Sequence, residues 1–309
     1  MADINDAALA AWSANAADWD AAMGFDGNQY WRALERPRRL LRCKQVLPER
    51  LAGSGAGPGS RRTLTPTSGV RALDLGTGNG LTARWLAAAR GPQRGRPGAA
   101  HGPAHHVLRR AGPDAGRRLC APFDVVLANM VLMDIPTLEP LAAALPGLLA
   151  DDGVFVASLL HPVFFTSRAR RTLEVVQDYD LEDGPQDNTD KDHTDNATAT
   201  ASSYVHGYKL TQYLHVPPFR GFAVAGQARA QHYFHRPLHE LLGTFLGRTD
   251  GRGGRIVLDA LEEPAFTPEQ VAAATAGKPT NAASSLHYTQ FPPLLVFRLR
   301  KVGPERRHT

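Results

Sequence analysis

A glycine-rich turn between a predicted strand and a predicted helix constrains the fold of this chain more than any other segment. Apolar residues of strand type cover 70–75, the turn reads Gly-Thr-Gly-Asn-Gly over 76–80, and a helical pattern runs from Leu81 to about Arg90. Glycine tolerates positive φ and lets a ligand approach the backbone, and the start of a helix exposes unpaired N–H groups. The segment therefore predicts an α/β fold with a site for an anionic ligand group at the turn.

The spacing of the glycines narrows the ligand class. A dinucleotide-binding turn follows the pattern G-x-G-x-x-G, and its third glycine position is occupied here by Leu81. The strand before the turn ends on an acidic residue, Asp74. The spacing argues against a nicotinamide-dependent dehydrogenase, and a tight turn without any ligand stays an alternative.

Hydrophobic patterning predicts further strands and helices on both sides of this turn. A helical preface covers 7–51 with a break at 24–27, and 52–69 reads as a flexible connection rich in Gly, Ser, Thr and Pro. Downstream, the pattern predicts strand 123–128, helix 138–149, turn 151–153, strand 154–160, helix 237–246, strand 255–261 and strand 294–299. Strand, helix and strand in short succession indicate a parallel sheet.

The turn and the second strand resemble two motifs of class I S-adenosylmethionine-dependent methyltransferases. The first motif is Asp74 with the turn 76–80, and the second is the run Phe-Asp-Val-Val-Leu-Ala-Asn-Met over 123–130. The resemblance implies S-adenosyl-L-methionine as the cofactor. Carried over residue by residue, it implies that the cofactor is bound by Asp74, Gly76, Thr77, Gly78, Gly80, Asn129 and Met130.

The likeness covers most of the chain outside 91–119 and a polar insertion. It includes Trp19-Asp20, Met23-Gly24, Gly27-Asn28, His161-Pro162, Gly226-Gln227, His235-Arg236-Pro237-Leu238, Glu263-Pro264 and Pro292-Pro293, which resemble a set of bacterial members. It implies a Rossmann-like α/β fold with an N-terminal helical cap and a seven-stranded, mostly parallel sheet in the order 3-2-1-4-5-7-6, whose last strand is antiparallel. We expect one domain over 1–309, divided into a cap at 1–51, a linker at 52–69, a cofactor-binding half at 70–160, a substrate region at 161–235 and a C-terminal half of the sheet at 236–300.

Two residues are candidates for the catalytic base. Methyl transfer is an in-line displacement, so the protein has to align donor and acceptor and exclude water, and an oxygen or nitrogen acceptor also needs a base. His161 follows a predicted strand, and its alternative role is a structural turn before Pro162. Asp134 faces the substrate in one interpretation and caps a helix before Pro136 in the other.

For several other polar and aromatic residues, the sequence allows either a structural or a functional role. His235 and Arg236 either bind an acidic substrate group or anchor the helix that follows them. Trp19, Tyr30 and Trp31 either belong to the core or form part of a lid over the cofactor.

A segment of unusual composition interrupts the resemblance at 91–118. The family needs a second and a third strand here, with acidic residues near the ribose and the adenine, but Gly, Ala, Arg and Pro dominate the segment and Asp114 is its only acid. The codons of these residue types begin with G or C bases, so a shifted reading frame in a G/C-rich gene would give this composition. The segment is either a frameshift product, which resequencing would reveal, or a genuine segment that impairs adenosine binding.

Charge and histidine content do not indicate nucleic acid or metal as partners. The chain of 309 residues has a net charge of +5, but many of its basic residues lie in 91–118, so no nucleic-acid partner is expected. His101, His105 and His106 lie in the same segment without nearby carboxylates, and we expect no metal site there. The polar insertion at 186–203 reads as a solvated loop rather than a calcium site, because it lacks the ligand spacing of an EF-hand.

The remaining features favour a cytoplasmic enzyme. Cys43 and Cys120 lie far apart, no secretory signal is visible at 1–20, and no apolar run is long enough to span a bilayer. We therefore expect a cytoplasmic methyltransferase that acts on a small molecule and has no membrane partner. An RNA or protein methyltransferase of the same fold, and a protein that keeps the fold but has lost cofactor binding, stay as alternatives.

Overall fold

Helices and strands of an α/β fold make up the part of the chain that the computed structural model describes, which covers residues 2–35, 71–89, 122–177, 202–224, 226–275 and 286–303. The helices are α1 (Ala2–Met23), α2 (Leu81–Ala89), α3 (Glu139–Leu148), α4 (Leu238–Gly243) and α5 (Pro268–Thr275). The strands are β1 (Ala72–Leu75), β2 (Phe123–Asn129), β3 (Leu149–Leu160), β4 (Arg170–Gln177), β5 (Ser202–Lys209), β6 (Phe219–Gly221), β7 (Gln231–Tyr233), β8 (Arg255–Glu262) and β9 (Leu294–Val302). Short 3-10 or π-helical segments cover Trp31–Glu35, Leu132–Asp134, Pro162–Thr166 and Leu286–Thr289.

A mixed sheet of five strands lies at the centre, in the order β1-β2-β3-β9-β8. β1, β2 and β3 are parallel neighbours, whereas β9 runs antiparallel to both β3 and β8. The α/β class and the mixed sheet with an antiparallel last strand are therefore confirmed. In the predicted numbering the observed order is 1-4-5-7-6, and the segment expected to supply strands 2 and 3 lies outside the described residues.

Alternating side chains of the central strands build an apolar layer on each face of the sheet. On one face Val126, Ala128, Phe155 and Ala157 pack against α3 and Phe245. On the other face the layer consists of Val125, Leu127, Val154, Val156, Val296, Trp31, Leu81 and Leu86. Burial on both faces explains why the sequences of β2 and β3 are almost continuously apolar, a pattern typical of parallel strands between helices.

The boundaries of two elements differ from the prediction. β3 begins at Leu149, so the predicted turn at 151–153 lies inside the strand. Asp152 has a φ of 60°, and the pairing with β2 shifts register between Phe123 and Val125, so the strand contains an irregularity where a turn signal occurs in the sequence. The predicted helix at 237–246 is shorter than expected, because α4 ends at Gly243 and tighter turns follow.

Two antiparallel hairpins were not predicted. β4 pairs with β5 from Arg170 opposite Lys209 to Gln177 opposite Ser202, and β6 pairs with β7. The strands β4 and β5 are separated by residues 178–201. Their pairing could therefore not be predicted from a short turn sequence, which is the usual signal of a hairpin. The end predicted for the polar loop at 186–203 was wrong, because Ser202 and Ser203 already belong to β5.

Helix α1 is attached to the segment before β7 by polar contacts. The side chain of Asn15 both donates to the carbonyl of Arg229 and accepts from its N–H, each at 2.8 Å. Asp18 Oδ2 accepts from the N–H of Ala228 at 2.8 Å, and Trp19 Nε1 donates to Gln231 Oε1 at 3.3 Å. Trp19 therefore makes a structural contact here. The helix predicted at the start of 7–51 forms in the described part of that range, and its predicted break at 24–27 is present.

Several expectations concern residues that the structure does not describe. These are the linker at 52–69, the segment at 91–118, Cys43, Cys120 and most of the polar insertion. Within the described ranges, no helix has the length and apolar character needed to cross a membrane, and no three His, Cys, Asp or Glu side chains are grouped for metal binding.

A pair of glycine substitutions tests the packing of β3. A Cβ at Gly153 would lie 2.7 Å from the carbonyl oxygen of Ala150 and 2.9 Å from that of Phe123, so we expect Gly153→Ala to lower the free energy of unfolding by about 1–3 kcal/mol. At Gly147 in α3 nothing lies within 4 Å of a Cβ. Gly147→Ala should therefore leave stability unchanged or raise it by up to about 1 kcal/mol, because alanine is the better helix former.

Urea denaturation of both variants checks this expectation. Equal stability of Gly153→Ala and the wild type would contradict the close approach of the backbone at Gly153.

Candidate functional site

The glycine turn leaves β1 at its carboxyl end with backbone conformations that favour glycine. Gly76, Gly78 and Gly80 have φ values of 66°, 54° and 79°. A Cβ at position 76 would lie 2.5 Å from Cγ2 of Val131, whereas nothing lies within 4 Å of a Cβ at position 78. Gly76 is therefore required by its packing against the segment after β2, and Gly78 borders open space that a ligand can enter.

Polar atoms beside this turn are buried without partners. In the described structure, both carboxylate oxygens of Asp74 and the hydroxyl of Thr77 have no hydrogen-bond partner. Burial raises the pKa of Asp74 to about 6, although the nearby Thr77 hydroxyl and Ala83 backbone N–H favour the ionised form. Buried polar groups are rarely left unpaired in folded proteins, so these atoms mark a place where a ligand can donate hydrogen bonds.

The start of α2 is held by contacts that the sequence did not reveal. Asn79 Oδ1 accepts from the N–H of Leu81 at 3.1 Å, and Arg84 Nη1 donates to the carbonyl of Asn79 at 2.7 Å. The Arg84 guanidinium also lies 5.1 Å from the ring centre of Phe25, whose side chain is exposed. Arg84 therefore fixes the turn and connects it to the segment after α1.

Asn129, the last residue of β2, is hydrogen-bonded at both ends of its amide. Its Nδ2 donates to Glu35 Oε2 at 2.9 Å, and its Oδ1 accepts from Ser158 Oγ at 2.7 Å. Met130 follows with a φ of 53°, and its N–H donates to the carbonyl of Ser158 at 2.9 Å. The predicted cofactor residues Asn129 and Met130 thus lie at the carboxyl end of β2, and the next residue, Val131, lies against Gly76.

Glu35 is the main site residue that the sequence interpretation missed. It is only 3% exposed, and burial raises its pKa to about 7 despite the opposing hydrogen bond from Asn129. A signal was available, because an acidic residue directly follows Leu34, an apolar residue that lies three positions after Trp31 and is buried with it. Only the fold shows that this acid meets the end of β2.

Asp134 lies at the end of the 3-10 segment that follows β2. Its Oδ1 is buried and has no hydrogen-bond partner within the described part of the chain, and burial raises the pKa of the carboxyl group well above its usual range. Burial raises the pKa of the Tyr233 phenol, and the nearby Asp134 raises this pKa further. No side-chain helix cap is formed at this segment, so the capping interpretation of Asp134 has no supporting contact.

Arg236 holds the backbone around Asp134. Its Nη1 donates to the carbonyls of Leu132 at 3.1 Å and Phe234 at 3.4 Å, and its Nη2 donates to the carbonyl of Ile135 at 2.6 Å. The guanidinium is buried, and burial lowers its pKa. Of the alternatives for Arg236, these contacts support an anchoring role.

His161 follows β3 and has both ring nitrogens engaged. Its Nδ1 accepts from the N–H of Val163 at 3.2 Å, so its Nε2–H donates to Glu263 Oε1 at 2.7 Å. The ring is 1% exposed, and burial lowers its pKa although Glu263 opposes the shift. A role for His161 as the base therefore requires a free lone pair, either on Nδ1 after loss of the Val163 contact or on Nε2 after a change of tautomer, and this role stays a prediction.

His235 is engaged in the same way. Its Nε2 lies 2.6 Å from the carbonyl oxygen of Tyr213, so that nitrogen donates, and its Nδ1 lies 2.9 Å from Thr166 Oγ1, from which it accepts. These contacts connect the segment before α4 to the end of the Pro162–Thr166 helix. They favour the structural interpretation of His235.

Comparisons with known proteins give structural neighbours only. No family model matches the chain, and no curated protein matches it. A methyltransferase of Mesorhizobium loti that depends on S-adenosylmethionine is 19% identical, with a TM-score of 0.44 over 90% of this chain and 100% of that chain. The methyltransferase CcbJ of Streptomyces caelestis is 15% identical, with a TM-score of 0.34 over 83% and 95%. The glycopeptide N-methyltransferase MtfA in complex with S-adenosyl-L-methionine is 12% identical, with a TM-score of 0.32 over 78% and 90%.

The anchoring role of Arg236 predicts a large effect of a conservative change. A lysine cannot donate to the carbonyls of Leu132 and Ile135 with the fixed fork of arginine, so Arg236→Lys should lower the free energy of unfolding by about 2–3 kcal/mol. The control is Arg248→Lys, because Arg248 pairs with Glu139 on the surface and should change stability by less than about 0.5 kcal/mol. Chemical denaturation of the two variants compares these values.

Burial of Glu35 predicts a pH dependence of stability. Its pKa is raised in the folded state from 4.5 to about 7, so the folded protein binds more protons between these values and loses stability as the pH rises through them. Glu35→Gln should remove this loss, which is on the order of 3 kcal/mol. The difference in unfolding free energy between variant and wild type, measured from about pH 4 to about pH 8, should therefore rise in favour of the variant; a constant difference would contradict the burial of an ionisable group.

Proposed function

We propose that this chain is an S-adenosyl-L-methionine-dependent methyltransferase that acts on a small-molecule acceptor. The observation that carries the proposal is the glycine turn, where the buried oxygens of Asp74 and Thr77 have no hydrogen-bond partner among the described residues and where nothing lies within 4 Å of a Cβ at Gly78. Crevices at the carboxyl ends of strands in open α/β sheets are the usual ligand sites of such folds.

The residues at the turn fit the amino acid end of the cofactor. Asp74 offers acceptor oxygens to an ammonium group, and its pKa of about 6 leaves it largely ionised at neutral pH. At the start of α2 the N–H of Leu81 is bonded to the Asn79 side chain and that of Ala83 interacts with Asp74, and the positive end of the helix dipole favours a carboxylate group there. The absence of a Cβ at Gly78 leaves room for a ligand to approach the backbone.

The residues that follow β2 and β3 are placed to position the acceptor. The cofactor, when bound, supplies a methyl group on a positively charged sulfur. Asn129 and Met130 lie at the carboxyl end of β2, where ligands bind in open α/β sheets, and Asp134 holds a carboxyl group whose pKa is raised by burial, which suits a proton acceptor. His161 is the second candidate for this role, and its use would require the lone pair of Nδ1 to be released from the N–H of Val163, because Nε2 carries the hydrogen that is donated to Glu263.

Aromatic packing beyond β3 supports an acceptor of small size. Phe164, Tyr208 and Phe291 form a cluster whose ring centres are 4.8 to 5.6 Å apart. An apolar wall of this kind can enclose a small molecule and exclude water from the reacting atoms. We propose an acceptor of small size on these grounds, whereas the cytoplasmic location, the single domain and the lack of a nucleic-acid partner stay predictions from the sequence.

Calorimetric titration with S-adenosylhomocysteine tests the proposal. We expect the wild type to bind, and Gly78→Asp to lose binding, because a carboxylate at this position would fill the open space and repel the carboxylate of the ligand. Gly251→Asp is the matched control, since Gly251 also has a positive φ, of 73°, and nothing within 4 Å of a Cβ. It should bind like the wild type.

Two outcomes would overturn the proposal. If neither the wild type nor the variants bind, the chain keeps the fold without the cofactor site. If Gly78→Asp binds as tightly as the wild type, the ligand is not held at the glycine turn.

A further inference from the structure

Arg171 of β4 lies among tyrosine side chains. Its Nη1 donates to the hydroxyl of Tyr288 at 3.5 Å, and its guanidinium carbon lies 5.9 Å from the centre of the same ring. The hydroxyl of Tyr288 is also hydrogen-bonded to that of Tyr30. Burial raises the pKa of Tyr208 to about 12, and both Tyr288 and Arg171 lie close enough to act on this pKa. One guanidinium and three phenols therefore meet in one place, which we call the Arg171–tyrosine cluster.

The Arg171–tyrosine cluster borders the region where the methyl acceptor would lie. Tyr30 and Tyr288 pack against the same apolar cluster as Met130, which follows β2, and Leu160, which ends β3. Tyr208 itself belongs to the aromatic group proposed above as the acceptor wall. Because ligands of open α/β sheets bind at the carboxyl ends of the strands, this arrangement places the guanidinium on the acceptor side of the site.

One side of this cluster is open to solvent. Arg171 is exposed, and Tyr208, Tyr288 and Phe291 are only partly buried. A small molecule can therefore reach the guanidinium from outside while its apolar part lies against the rings. The guanidinium has a permanent positive charge and a planar fork of N–H donors that matches the shape of a carboxylate.

We propose that Arg171 is a specificity-determining residue that binds a carboxylate group of the methyl acceptor, and that this acceptor is a small carboxylic acid with an aromatic ring. The contact with Tyr288 holds the guanidinium in place, and the rings of Phe164 and Phe291 pack against the apolar part of the acceptor. This inference rests on the proposed function and adds to it the chemical class of the acceptor.

A purely structural role of Arg171 makes a different prediction. As a clamp between β4 and the Leu286–Thr289 segment, it would affect the binding of charged and neutral ligands alike, because its loss would change only the shape of the site. A carboxylic acid and its amide differ in charge but hardly in size. The ratio of their dissociation constants therefore separates the two roles.

The experiment measures the binding of acid and amide pairs by ligand-observed NMR titration of protein saturated with S-adenosylhomocysteine. The pairs are benzoate with benzamide, phenylacetate with phenylacetamide, and hydrocinnamate with hydrocinnamamide, so that the distance from the ring to the carboxylate varies. We expect the wild type to bind the acid of at least one pair about tenfold more tightly than the amide, as for a charge-assisted bidentate contact.

Three variants test the role of the residue. Arg171→Gln should bring the ratio for that pair close to unity, and Arg171→Lys should retain part of the preference because it keeps the charge without the fork. Arg170→Gln is the matched control. Arg170 is the neighbouring exposed arginine of β4, opposite Lys209, and successive side chains of a strand point to opposite faces of a sheet. Its loss should keep the ratio of the wild type.

Three outcomes overturn the inference while leaving the proposed function intact. These are binding of S-adenosylhomocysteine without a preference for the acid in any pair, an equal loss of affinity for acid and amide in Arg171→Gln, and the same loss of preference in Arg170→Gln. Failure of the wild type to bind S-adenosylhomocysteine would instead overturn the proposed function, and with it this inference. Urea denaturation of each variant confirms that the compared proteins are folded.

Discussion

The hydrogen bonds of Asn129 fix the arrangement on which the rest of the site depends. Ser158 Oγ donates to the amide oxygen of Asn129, so the amide nitrogen is turned toward Glu35. Without this orientation the buried carboxyl group of Glu35 would lose its donor, which is costly in a medium of low dielectric constant. The network therefore joins the N-terminal segment to β2 and β3 at the edge of the sheet where the glycine turn begins.

Among the described residues, the acids at this edge form no ion pair with a described cation, in contrast to acids near β8 and β9. There, Arg300 Nη2 lies 2.7 Å from Asp259 Oδ1, and Lys301 Nζ lies 2.8 Å from Asp250 Oδ2. The hydrogen bond from Lys301 is the largest cause that lowers the pKa of Asp250, to about 2. At the carboxyl ends of β1 and β2, by contrast, burial raises the pKa of Asp74 and of Glu35. Acids held in this way cost stability and are typical of sites that bind a ligand.

Sequence reasoning predicted the elements whose signals are local. β1, β2 and the start of α2 follow from a run of apolar residues, a glycine turn and helical periodicity, all within a few residues of one another. The hairpin of β4 and β5 escaped prediction because its strands are separated by 178–201 and pair through the backbone. The start of β3 was misplaced because Asp152 and Gly153 form an irregularity inside the strand, where the same residues would otherwise signal a turn.

By itself, the sequence determined the α/β class and the positive-φ glycines of the turn, because these depend on backbone preferences and on the period of burial, and the resemblance of its motifs made Asp74 and Asn129 candidates. Only the tertiary structure decided which side chains meet. In the folded chain, Glu35 accepts a hydrogen bond from Asn129, and Glu263 accepts one from the ring of His161. Arg236 donates to backbone carbonyls rather than to a ligand. The reason is physical: contacts between residues so far apart in the chain depend on how the sheet and the layers on it pack. Local sequence patterns do not predict such contacts.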